Sequence, residues 1–106
     1  MNNLWQLPDP LPQGEQFATL LKTPQIHIER ILSPEQSEPG PWYDQPQDEW
    51  VLLLQGQACL EYGDGTQQIL QAGDYCLIPA HQRHRVLYTR AEPPCLWLAI
   101  HGHLSP

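Results

Sequence analysis

Apolar and polar positions alternate through most of this chain, in runs too short for helices. "QIHIERIL" (25–32) sets Ile26 and Ile28 against His27 and Glu29, then continues through Arg30 and Ile31. "EWVLLLQGQACLEY" (49–62) is apolar on both faces through "WVLLL", breaks at Gly56 and resumes its alternation with Ala58, Leu60 and Tyr62. "TQQILQAGDYCLIPA" (66–80) holds two further short runs parted by "AGD"; "HRVLYT" (84–89) and "CLWLAIH" (95–101) close the series. A period of two marks strands with one face against a core. "GDG" (63–65) marks a hairpin turn, because Gly and Asp tolerate positive φ. Short strands at regular spacing predict an all-β sandwich or barrel.

The first 24 residues follow another pattern. Pro8, Pro10 and Pro12 favour an extended arm. In "GEQFATLLK" (14–22), Phe17, Leu20 and Leu21 fall at i, i+3 and i+4, which predicts a short helix ended by Pro24. Such a helix is too short to be stable alone and must dock. The expected organisation is an arm and helix over 1–24 and a β-barrel over 25–106, one domain in all.

Charge narrows the partners. Five Lys plus Arg stand against twelve Asp plus Glu, a formal net charge of −7. That disfavours nucleic acid and anionic membrane surfaces, which need a basic face. Arg83, Arg85 and Arg90 leave room only for a small cationic patch. No apolar run is long enough to span a bilayer, and "MNNLWQLPDPLPQ" has no basic, then apolar, leader pattern. Cys59, Cys76 and Cys95 form neither a CxxC pair nor an even disulfide set, which fits packed, reduced thiols in a cytoplasmic protein.

The chemistry concentrates around "WYDQPQDEW" (42–50), which offers Asp44, Gln45, Asp48 and Glu49 between aromatics. "DEWVLLLQG", with Glu49 seven positions before Gly56, resembles the second half of the first cupin motif. "GDYCLIPAHQRH", with Gly73, Asp74, Pro79 and His84, resembles the second cupin motif. The resemblance spans about residues 25–101. It implies a jelly-roll barrel holding a divalent metal on two His of a His-x-His pair, a Glu and a third His. Glu49 and His84 match that pattern. Counting back from Glu49 puts the His-x-His positions at Trp42 and Asp44, or at Tyr43 and Gln45, and neither register supplies a histidine.

Asp44 is the replacement carboxylate, so the candidate metal site is Asp44, Glu49 and His84. An oxygen-rich set with one imidazole suits Mn²⁺, Fe²⁺ or Mg²⁺, with Ni²⁺ or Zn²⁺ taken up on expression. Without a metal, carboxylates in an apolar barrel need pairing or hydrogen bonds. Two functions therefore stand: a divalent-metal-dependent enzyme acting on a small polar metabolite, or a metal-free cupin that binds a small ligand as a sensor or accessory domain. A partner-binding module is a third. Trp42, Tyr43, Gln45, Tyr88 and His101 are the expected pocket residues. His101 is also expected to be hydrogen-bonded in the interior, Asp48 to be a solvated rim charge, His81 a turn residue, and His27 to face solvent or a partner chain. The two apolar faces of "WVLLL" predict a homodimer.

Overall fold

The computed structural model describes residues 2–90 and 93–105. Eight strands form two antiparallel sheets: β1 (Gln16–Lys22), β2 (Ile26–Ser33), β3 (Asp48–Gln55), β4 (Gln57–Tyr62), β5 (Gln67–Gln71), β6 (Tyr75–Ile78), β7 (His84–Thr89) and β8 (Cys95–Gly102). The larger sheet runs β1-β2-β8-β3-β6 and the smaller β5-β4-β7. This is the two-sheet jelly roll that the short strands predict. Among the described residues there is no helix, and so none that could cross a membrane.

The helix expected over 14–22 is a strand instead. β1 pairs with β2 from Gln16↔Leu32 to Lys22↔His27, with a register shift between Thr19 and Leu21. The free edge of β2 offered a full ladder of hydrogen bonds, which a helix this short could not match.

The core lies between the sheets. β3 contributes Val51 and Leu53, β4 Ala58 and Leu60, and β8 Cys95, Trp97 and Ala99, with Leu70 and Ile78 closing the cluster. Alternation then fixes what else points inward: Glu49 precedes Val51 on β3, and His101 follows Ala99 on β8. The apolar core thus gives way to polar residues at one end of the barrel.

The punctuation behaves as its chemistry requires. Gly56 has φ +99°, and a Cβ there would stand 2.7 Å from Cys95 Sγ. Only glycine permits the bend between β3 and β4. In the "GDG" turn, Asp64 Oδ1 accepts hydrogen bonds from the Thr66 amide at 3.0 Å and hydroxyl at 2.6 Å. All three cysteines are free, and burial pushes each thiol up from its ordinary pKa.

Candidate functional site

Four strands deliver five titratable side chains to the polar end. Glu49 on β3 and His101 on β8 are cross-strand partners, as are His101 and His27 on β2. Glu29 lies diagonally across from His101, within reach for long side chains. From the smaller sheet, His84 opens β7 and is bridged to Tyr43. Tyr43 N donates to His84 O at 2.7 Å and His84 N to Tyr43 O at 3.1 Å, so the loop carrying "WYDQ" is stitched to the mouth by its backbone.

The result is an alternating row of acid and base. His101 Nε2 lies 2.9 Å from Glu29 Oε1 and 4.0 Å from Glu49 Oε2, and His84 Nε2 lies 3.5 Å from Glu49 Oε1. Glu49, His84 and His101 are 7 %, 6 % and 8 % exposed. A cavity of about 70 Å³ opens here, large enough for a few waters or one small polar group. Its floor is apolar, with Val51, Leu60, Ile78 and Trp97. Its polar lining includes Glu15, Glu29, Glu49, His84 and His101, and among the described residues no lysine or arginine lines it.

Electrostatics reflect this crowding. For His84, burial is the largest single influence and works against the charged form. The hydrogen bond and charge of Glu49, with the Gln82 carbonyl, outweigh it and raise the pKa above its ordinary value. Burial pushes the Tyr43 hydroxyl up, helped by the charges of Glu15, Glu49 and Glu29.

The sequence-predicted residues divide. Glu49 and His84 come together, and Tyr43, Gln45 and His101 line the same cavity. Asp44 does not join them: its side chain is 60 % exposed, and its Oδ1 pairs with His81 Nδ1 at 2.9 Å on the rim. Trp42 lies under Arg83 and Arg85, each 4.3 Å from its ring centre. Tyr88 is paired with Cys59 on β4 and is not among the cavity's residues. His81 does occupy a turn, at φ 65°.

One expectation is corrected. Asp48 is no solvated rim charge. It is 5 % exposed and accepts hydrogen bonds from the amides of Ala80 (2.8 Å), Leu104 (2.8 Å) and Ser105 (3.0 Å). His27 is half-buried, its side chain 27 % exposed. It shares a strand face with Glu29, stands 5.7 Å from the His101 ring and is 2.9 Å from Thr19 Oγ1.

Glu29, Glu15 and Phe17 line the cavity without having been singled out from sequence. For Glu29 a signal existed, since the period of two puts His27, Glu29 and Ile31 on one face. The apolar Ile26 and Ile28 look like the inward set, yet they belong to the opposite face. Glu15 and Phe17 were hidden by the helical spacing of 14–22.

These residues do not fit a resident divalent metal. Asp44 is committed to the rim and the His101 nitrogen to Glu29, which leaves Glu49 and His84. Among the described residues no group of three or more His, Cys, Asp or Glu is arranged to hold an ion.

A small two-sheet β-barrel with a glutamate and a histidine converging at its mouth is a cupin, and the chain belongs to that family: the cupin-domain sequence profile matches residues 30–101. It is similar to a candidate mannose-6-phosphate isomerase from Ralstonia eutropha JMP134, with 42 % identity over 98 % of each chain and a TM-score of 0.86. A cupin superfamily protein from Desulfitobacterium hafniense DCB-2 shares the fold at 19 % identity, over 97 % of this chain and 100 % of that one, with a TM-score of 0.75. An RmlC-like cupin from Shewanella frigidimarina NCIMB 400 does so at 15 % identity, over 86 % and 78 %, with a TM-score of 0.73. No curated protein matches the sequence.

Proposed function

We propose that this cupin binds a small polar molecule at the barrel mouth, gripped by Glu49 and His84 without a resident metal. One observation carries the reading. Glu49 is 7 % exposed, yet its nearest charged partners stand at 3.5 and 4.0 Å. A charge-assisted hydrogen bond would bring them to about 2.7–2.9 Å. A buried carboxylate held so loosely, beside a cavity, is poised for a hydrogen-bond donor from outside.

The pair supports proton transfer as well. His84 Nδ1 lies 2.9 Å from the Gln82 carbonyl and donates to it, leaving Nε2 to exchange a proton with Glu49 or with a bound molecule. Moving a proton between neighbouring carbons is the chemistry that an aldose–ketose isomerase needs. The name of the Ralstonia relative would add a phosphate ester to the substrate. The cavity argues against that part, because Glu15, Glu29 and Glu49 line it with no lysine or arginine.

The test is a thermal-shift and NMR survey of small metabolites against the wild type and Glu49→Gln. A binder that raises the melting temperature, perturbs His84 and loses its effect in the variant is the expected result. Binders that act equally on both proteins would place the ligand site elsewhere.

A further inference from the structure

We infer that the group this mouth is built to seat is a small organic ammonium, an amine head on a short apolar body. The inference rests on the binding reading above and names its ligand class.

The argument turns on hydrogen atoms. The Gln82 carbonyl fixes the His84 tautomer, since its 2.9 Å contact requires a hydrogen on Nδ1. Once the pH passes the raised pKa of His84 and the ring is neutral, Nε2 is a bare acceptor, facing Glu49 Oε1 at 3.5 Å. Two acceptors confront each other across the mouth, and both are buried. His101 does not relieve them: its Nε2 is 2.9 Å from Glu29 and 4.0 Å from Glu49. A proton on Nε2 is one solution. A ligand that fills the gap must donate to both atoms at once. A hydroxyl has one hydrogen and satisfies one of them, whereas an ammonium has three.

Charge and shape agree. The lining has three glutamates, and the basic groups facing them are the imidazoles of His84 and His101, with His27 behind them. Arg83 and Arg85 stand over the ring of Trp42, outside the lining, and Arg85 Nε donates to Glu61 Oε1 at 2.7 Å. A phosphate would meet carboxylates here. A chain of net charge −7 draws cations toward it. Below the carboxylate the walls are Val51, Leu60, Ile78 and Trp97, whose largely apolar surface suits an alkyl body. A metal ion is the other species that could sit between two acceptors, but it needs a third donor that the site does not assemble.

The experiment is an NMR titration of the full chain with propylammonium, propanol, propyl phosphate and Mn²⁺, each against wild type, Glu49→Gln, His84→Gln and Asp44→Asn. Propylammonium is expected to bind saturably with shifts at His84 and Glu49, roughly tenfold or more tighter than propanol, a gap worth about 1.4 kcal/mol. Propyl phosphate should not bind. Glu49→Gln should erase the preference, and His84→Gln should weaken it if Glu49→Gln fails to fold. Asp44→Asn, altered on the exposed rim, should keep it. Equal binding of propanol and propylammonium would overturn the ammonium assignment while leaving a polar-ligand pocket. Binding of none of the organic probes would sink both readings. Tight Mn²⁺ binding that excludes propylammonium, or loss of the preference in Asp44→Asn, would overturn the inference in favour of a metal or a diffuse rim charge.

Discussion

Asp48 and Glu49 are consecutive in β3, both buried, and opposite in hydrogen bonding. Asp48 accepts from three backbone amides, two of them in the C-terminal segment at Leu104 and Ser105. Among the described residues Glu49 has only two distant imidazoles as charged partners. Strand alternation sends neighbouring side chains to opposite faces, so one carboxylate ties the chain's end to the sheet while the other looks into the cavity. The division separates a structural role from the proposed binding role within a single dipeptide.

Asp48 should govern acid stability. Hydrogen bonds from the Leu104 and Ala80 amides, with a further one from Ser105, outweigh burial and hold its pKa at about 2. A depressed carboxylate stabilises the fold above its ordinary pKa, and that contribution is lost as pH falls toward about 2. Asp48→Ala should lower the melting temperature at pH 7, and the gap from wild type should close in strong acid. A gap that stays constant down to pH 2 would contradict this.

His84 should show the reverse slope. Burial, its largest influence, opposes the charge, but Glu49 and the Gln82 carbonyl raise its pKa above the ordinary 6.5. Its contribution is therefore fully present below 6.5 and fades as pH rises through the raised value. NMR titration of the imidazole should find the midpoint above 6.5, and Glu49→Gln should bring it down. A midpoint unmoved by Glu49→Gln would show that the two groups do not communicate.

Chelation tests the metal question directly. A bound ion stabilises the folded form by mass action. With only Glu49 and His84 in place, removing divalent metals with a chelator should leave the melting temperature within about 1 °C, and added Mn²⁺ should not raise it. A chelator-induced drop abolished by His84→Ala would restore a metal centre.

Gly56 is the sharpest test of the bend between β3 and β4. With φ +99° and Cys95 Sγ only 2.7 Å from a would-be Cβ, Gly56→Ala should cost about 1–3 kcal/mol in urea unfolding. Gly65, also at positive φ but with nothing within 4 Å, should cost less when changed to alanine.

We propose that two copies pair through the outer face of the five-stranded sheet. Trp50 stands opposite Leu77 and Leu52 opposite Tyr75. Tyr75 is 65 % and Leu77 38 % exposed, and the Trp50 and Tyr75 rings lie 5.6 Å apart. A stable pair must bury roughly 1,200–2,000 Å², for which this face offers an apolar centre. Sedimentation should report a dimer at tens of micromolar, and Leu77→Glu should shift it toward monomer. A wild-type monomer at those concentrations would refute the pairing.

The sequence alone determined what depends on local physics. Period-two alternation, the "GDG" and "AGD" turns and Gly56 specify short strands and their bends, because each is enforced by the backbone and by nearest neighbours. The placement of Glu49 and His84 near one another was legible too, from the spacing of the two motifs. Only the tertiary structure decided the rest. Residues 16–22 became a strand because β2 had an edge to fill, a fact absent from the segment itself. Asp44 and Asp48 look interchangeable in "DQPQDE", yet one rotates out to His81 and the other is fixed by amides 32 to 57 residues away in the chain. The partnership of Glu29 with His101 depends on β2 and β8 lying side by side, a pairing across some seventy residues. Long-range pairing sets which face of a strand is inside, and that face decides which polar side chains meet.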